Sequence, residues 1–198
     1  IRVDGITPPL AIVGNRIENT DVPAAEGGLR LGQSASAILV EGTDDPEIRG
    51  NVIGRFQFRG EVDVSNAVET GLFLSIADGG LAGSGIRLSS LNGGLIEGNT
   101  ITGCGREGIT AGPVNDVVIR DNEVGWCGEF GIQLRTSIDR DADGYPIVPR
   151  AHPMTGNVIE GNRVYENGWL HGGSSGIGLF YAGTDDGSPA NIVRGNLV

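Results

Sequence analysis

A right-handed, single-stranded parallel β-helix is the fold class that this 198-residue sequence predicts. Three observations predict it: abundant glycine, a repeat built round one asparagine, and constant spacings between the copies. The sequence holds 35 Gly against 5% aromatic residues, a balance that points to tight turns recurring along the chain. Its apolar residues, 38% of the total, are mostly Ile, Val, Leu and Ala, which suits many short strands round a narrow core.

The repeat is an apolar residue, any residue, Gly or Asp, then Asn, any residue, and Ile or Val. It occurs as Ile12–Ile17, Ile48–Ile53, Ile96–Ile101, Ile119–Val124, Ile159–Val164 and Val193–Val198. A second element lies between these copies: a small residue, Ile, any residue, and an apolar residue. It occurs as Ala37–Val40, Gly85–Leu88, Gly108–Ala111, Gly131–Leu134 and Gly176–Leu179. Alternation of period two marks both elements as strands with one face inward.

The step from Ala37 to Ile48, from Gly85 to Ile96 and from Gly108 to Ile119 is 11 residues. From Asn99 to Gly108, and from Asn122 to Gly131, it is 9. A constant turn brings each coil back to the same place one strand spacing, about 4.8 Å, higher. Asn15, Asn51, Asn99, Asn122, Asn162 and Asn196 are therefore expected in one column of bonded amides, each at a bend where Asn tolerates left-handed backbone. The outward residue before each Gly-Asn or Asp-Asn pair runs Val13, Arg49, Glu97, Arg120, Glu160, Arg194. Parallel strands in register set these opposite charges side by side, as a solvated face and not a binding site.

These repeats resemble those of the pectate-lyase-like superfamily of parallel β-helix proteins, over nearly the whole chain. The resemblance implies the fold, and it admits several activities. Relatives include polysaccharide lyases, mannuronan epimerases, periplasmic maturation proteins and exported repeat proteins. Fold alone does not choose among them.

Composition narrows the partners. All 14 basic residues are Arg, and the net charge of -11 disfavours nucleic acid and anionic lipid. No apolar run approaches a membrane span of roughly 18 residues, so no membrane insertion is expected. The sequence opens on Ile1 and stops in mid-repeat at Val198. Residues 1–198 read as a single β-helix domain, a segment of a longer chain, with uncapped ends open to an oligomer or to a continuation of the helix.

Departures from regular spacing mark where function would lie. The early coils are enlarged between the Asn turn and the second strand. The late coils are enlarged mainly at the other corner, after Gly131 and after Gly176, so residues 135–157 and 166–191 are expected side by side. Both His residues fall there. Arg135, His152, His171 and Tyr181 are the candidate catalytic residues, because a uronate lyase or epimerase needs a cation for the carboxylate and a base for the C5 proton. Arg150, Trp169 and Tyr181 are candidates for substrate binding. The Asp-Pro-His signature of mannuronan epimerases is absent, since Ala151-His152-Pro153 departs from it. The lack of Lys excludes a Lys base, and glycoside hydrolysis would need two carboxylates at a set separation.

Asp139, Asp141 and Asp143 before Gly144 match the first half of a calcium loop, with carboxylates at alternate positions and Gly at the sharp turn. The twelfth position holds Arg150 in place of the usual Glu, so a further ligand would come from elsewhere, Asp185 or Asp186. Cys104 and Cys127 each follow a repeat Asn by five residues and are expected to stack on adjacent coils in line with Asn167, as free thiols filling a small core position or, the alternative at that separation, as a disulfide. The leading functional expectation is an extracytoplasmic protein that binds or processes an acidic polysaccharide, with calcium as cofactor. The alternative is a non-catalytic scaffold segment of an adhesin, a phage tail fibre or a periplasmic maturation protein.

Overall fold

The computed structural model describes residues 1–18, 36–54, 84–104, 106–135, 139–140, 146–147, 154–168, 176–180 and 188–198. Strands are numbered in chain order. The described residues contain strands and no helix, and nearly all pairing is parallel between successive coils. Three sheets wrap one core as a right-handed solenoid. Sheet A stacks β1 (Arg2–Asp4), β4 (Ile38–Glu41), β7 (Ile86–Ser89), β11 (Ile109–Ala111), β15 (Ile132–Arg135) and β20 (Ile177–Phe180). Sheet B stacks β2 (Ala11–Val13), β5 (Glu47–Arg49), β9 (Leu95–Glu97), β13 (Val118–Arg120), β18 (Val158–Glu160) and β21 (Ile192–Arg194). Sheet C stacks β3 (Arg16–Glu18), β6 (Val52–Gly54), β10 (Thr100–Thr102), β14 (Glu123–Gly125) and β19 (Arg163–Tyr165).

Inward positions form like-on-like columns. Ile12, Ile48, Ile96, Ile119 and Ile159 line sheet B, and Ile53, Ile101, Val124 and Val164 line sheet C, all buried. Ile38, Ile86, Ile109 and Ile132 do the same in sheet A. Branched chains favour the pleated surface and leave a dry core one side chain deep.

The asparagine column is present. Asn99 donates from both its backbone N and its Nδ2 to Asn122 Oδ1, each at 2.9 Å. The same double bond joins Asn15 to Asn51, Asn51 to Asn99, Asn122 to Asn162, and Asn162 to Asn196. Each inner Nδ2 also reaches the carbonyl of an inward Ile, such as Asn99 to Ile48 at 2.9 Å. One expectation needs correcting. The left-handed residue is not the Asn but the one before it: Gly14, Gly50, Gly98, Asp121, Gly161 and Gly195, with φ between 54° and 67°. That is why the repeat demands Gly or Asp at this place.

The small residue opening each sheet A strand has a packing cause. A Cβ on Gly85 would lie 2.6 Å from Ile101 Cγ2 and 2.7 Å from the Gly108 carbonyl oxygen. Gly108, Gly131 and Gly176 face the same crowding from Val124, Val164 and Val198. Cys104 and Cys127 are free, buried thiols beneath these glycines, and Asn167 caps their column by accepting from Cys127 N at 3.0 Å. The thiol of Cys104 is pushed well above its ordinary range, first by its hydrogen bond with Cys127 and then by burial.

Candidate functional site

The expected juxtaposition of the late insertions holds at their roots. Strands β15 and β20 pair in register, with Arg135 opposite Phe180, and beyond the gap Gly156 N donates to Pro189 O at 2.9 Å. Residues 136–153 and 181–187 thus leave and rejoin the same corner between sheets A and B.

Of the candidate residues, Arg135 is described in full: it is exposed at the end of β15. Asp139 is placed by its backbone, in β16 (Asp139–Arg140), which pairs antiparallel with β17 (Pro146–Ile147). Asp141, Asp143, Arg150, His152, Trp169, His171 and Tyr181 lie outside the described residues, as do Asp185 and Asp186. Among the described residues, no three of His, Cys, Asp and Glu gather as a metal ion would require.

The outer face of sheet A carries, besides the candidate Arg135, residues that sequence reasoning passed over. Period two turns Arg87 of β7, Thr110 of β11, and Gln133 and Arg135 of β15 outward, between inward Ile, Leu and Ala residues that are buried. Arg87, Thr110, Gln133 and Gly178 are in register across β7, β11, β15 and β20. Gly178 leaves room for two rings: a Cβ there would lie 2.8 Å from both Phe130 Cε1 and Phe180 Cε2. Those rings meet edge to face, with centroids 5.2 Å apart.

Charge on this face differs from charge elsewhere. The sequence has 25 acidic residues for 14 Arg, so a surface Arg should readily find a carboxylate. Most do. Arg49 meets Glu47 at 3.0 Å, Arg120 meets Glu97 at 2.7 Å, and Arg194 meets Glu160 at 2.7 Å. Arg2, Arg106 and Arg163 likewise sit against Glu41, Glu129 and Glu123. Arg87 and Arg135 have no carboxylate partner among the described residues. Strands β7, β11, β15 and β20 contain no Asp or Glu, whereas β1 and β4 of the same sheet carry Asp4 and Glu41, and Glu recurs in sheets B and C as Glu47, Glu97, Glu160 and Glu123.

Gln133 is the second anomaly. It points outward yet is only 4% exposed, and its side-chain amide makes no hydrogen bond among the described residues. A buried amide left unpaired costs about 1–3 kcal/mol. Asn51, Asn99, Asn122, Asn157 and Asn162 are as deeply buried, and each is hydrogen-bonded.

The sequence did carry a signal for this face. In the Gly-Ile-x-apolar element, the outward residue runs Arg87, Thr110, Gln133, Gly178, a column with no acid in it. Phe130 and Phe180 carry no such signal, since the residue that brings them together is a glycine.

The chain belongs to the right-handed β-helix family, whose model matches residues 10–198. Among solved structures, it is similar to the periplasmic alginate epimerase AlgG, at 13% identity and a TM-score of 0.49, over 100% of this chain and 38% of that one. It is also similar to the Dettilon tailspike protein, at 14% identity and a TM-score of 0.46, over 93% of this chain and 37% of that one. This chain therefore spans well under half the length of either protein. Comparison with curated proteins returned no match.

Proposed function

We propose that the protein binds an acidic polysaccharide along the outer face of sheet A, outside the cytoplasm. The observation that carries this reading is the pair Arg87 and Arg135, cations without carboxylate partners among the described residues, on the stretch of sheet A from β7 to β20, whose strands hold no acid. A guanidinium pairs with a uronate carboxylate through two parallel N–H donors. Phe180, exposed and held edge to face by the buried Phe130, offers apolar surface to the C–H face of a sugar ring. Binding along the face suits an extended polymer, because in-register residues recur every strand spacing.

Catalysis by Arg135 with His152, His171 or Tyr181 would be a further step of the same reading, checked by assaying the same uronate polymers for unsaturated product by ultraviolet absorbance. Calcium on Asp139, Asp141 and Asp143 is part of the proposal. Asp139 lies opposite Ile147 in the pairing of β16 with β17, and carboxylates at alternate positions are the donor type that a hard cation takes.

The test is titration calorimetry with uronate-containing and neutral polysaccharides, with and without calcium. Acidic polymers are expected to bind, and the double variant Arg87→Ala/Arg135→Ala to lose that binding. Arg49→Ala, on sheet B, should keep it. Retention of binding by the double variant, or no binding to any acidic polymer, overturns the proposal and favours a non-catalytic scaffold.

A further inference from the structure

We propose that the edge of sheet C carries a second sugar site, at which a neutral polysaccharide stacks on Trp126. This goes beyond the acidic ligand proposed for sheet A and rests on different residues.

Trp126 follows β14, where sheet C turns toward sheet A. Its indole is 55% exposed, and its backbone is left-handed, with φ 57°. That region suits Gly, Asn and Asp and is disfavoured for a bulky side chain. The same place in the coil below holds Gly103, with φ 71°, so the turn itself has no need of a large residue. A strained backbone and an apolar ring in water both work against stability at this one position. Outliers of this kind are kept where a ligand uses them.

The groups beside Trp126 are polar and already arranged. Gly125 is in register with Tyr165, and the Tyr165 ring rests on that glycine: a Cβ there would lie 2.5 Å from Tyr165 Cε2. The Arg163 guanidinium lies 5.1 Å from the centre of the same ring. The Tyr165 hydroxyl donates to Glu123 Oε1 at 3.2 Å, and Arg163 meets that oxygen at 3.6 Å. Burial first, then the charge of Glu123, hold the Tyr165 hydroxyl above its ordinary value, so it stays a donor. Tyr165 is thereby fixed, Arg163 is exposed and Glu123 is half-buried. Glu123 and Trp126 stand three residues apart, about 10 Å, a span that one or two pyranose rings cover.

An exposed indole beside a fixed carboxylate and guanidinium suits a sugar. Its C–H face stacks on the ring, and its hydroxyls donate to Glu123 and accept from Arg163. Charge decides which class of sugar. Glu123 and Arg163 offset each other, Glu166 follows Tyr165 as an exposed acid, and the whole chain has a net charge of -11. A uronate meets repulsion here, and a neutral pyranose does not. One indole ringed by polar groups also falls far short of the roughly 800 Å² per partner that a stable protein interface buries.

The experiment titrates the full chain with cellohexaose, xylohexaose and mannohexaose, followed by calorimetry and tryptophan fluorescence. At least one is expected to bind and to shift the emission to the blue. Trp126→Ala should weaken that binding at least tenfold, and Glu123→Ala several-fold. Trp126→Gly is the second probe, because glycine relieves the left-handed backbone. It should lose the sugar while keeping or raising the urea midpoint. Arg49→Ala, on sheet B, should change neither. A lowered midpoint for Trp126→Gly assigns the indole to the fold and overturns the proposal. Binding that survives Trp126→Ala, or no binding of any probe, overturns it too. Self-association dissolved by Trp126→Gly, without sugar binding, would instead make the indole a contact between copies of this chain. Binding of acidic polymers through Arg87 and Arg135 is measured separately and stands or falls by itself.

Discussion

Asn122 shows how much one side chain contributes to this fold. Its Oδ1 accepts two bonds from Asn99, and its Nδ2 donates to Ile96 O at 2.9 Å and to Asn162 Oδ1 at 2.9 Å. It therefore ties three successive coils together at a buried corner where water cannot substitute. Truncation leaves two buried donors of Asn99 unpaired, each costing about 1–3 kcal/mol. Asn122→Ala is accordingly expected to lose roughly 3 kcal/mol in urea denaturation. Asn15 is bonded to one neighbouring coil, and its Oδ1 accepts from no described residue. Asn15→Ala should cost under about 1 kcal/mol. Similar losses for the two would mean that the amides decorate the turn without coupling the coils. Asn in every copy was legible in the sequence because each coil needs the same amide. The strained residue was misassigned by one place, because Asn and Gly both suit left-handed backbone and only geometry separates them.

At the scale of an element, the corner leading into sheet A buries a charged group of three. Arg106 Nε meets Glu129 Oε1 at 3.3 Å and Arg106 Nη2 meets Glu107 Oε1 at 3.3 Å, while Ser84 Oγ donates to Glu107 Oε2 at 2.8 Å. Burial works to lower the Arg106 guanidinium, but Glu107 and Glu129 outweigh it and hold the group above its ordinary value. The Glu129 carboxyl is raised, first by burial, against the pull of Arg106 and with the push of Glu107. A raised carboxyl favours its neutral form in the folded state. Its contribution to stability is then whole below the ordinary Glu range and lost as pH rises through the folded pKa. Glu129→Gln should therefore cost nothing at about pH 7 and flatten the decline in stability between about pH 4 and about pH 7. Urea midpoints across that range would show it. A variant penalised more at the upper pH would mean that Arg106 pairing, not burial, governs the corner. None of this was legible beforehand: Glu107 and Glu129 look like ordinary loop acids until stacking brings adjacent coils together.

For the whole molecule, what was legible follows from what repeats. Ile109 in register with Ile86 and Ile132, and Arg120 in register with Glu97 and Glu160, are consequences of one constant spacing, so reading the spacing was enough. The proposed binding face depends instead on contrasts between coils, such as Arg87 against Thr110, and on Gly178 admitting two rings. A search for familiar catalytic side chains in long loops passes over both. The same contrast sets how the molecule should respond to salt. Its net charge of -11 repels a polyanion at long range, while Arg87 and Arg135 attract a carboxylate only at contact. Raising ionic strength from about 0.01 M to about 0.1 M shortens the Debye length from about 30 Å to about 10 Å. That change screens the distant acids far more than a contact pair. The association rate for an acidic oligosaccharide, followed by stopped flow, should therefore rise over this range, the reverse of the usual behaviour of a steered complex. Near 1 M the contacts themselves are screened, at a Debye length of about 3 Å, and affinity should fall again. An association rate that falls steadily from the lowest salt would show that the local field of sheet A, and not the charge of the whole chain, governs the approach.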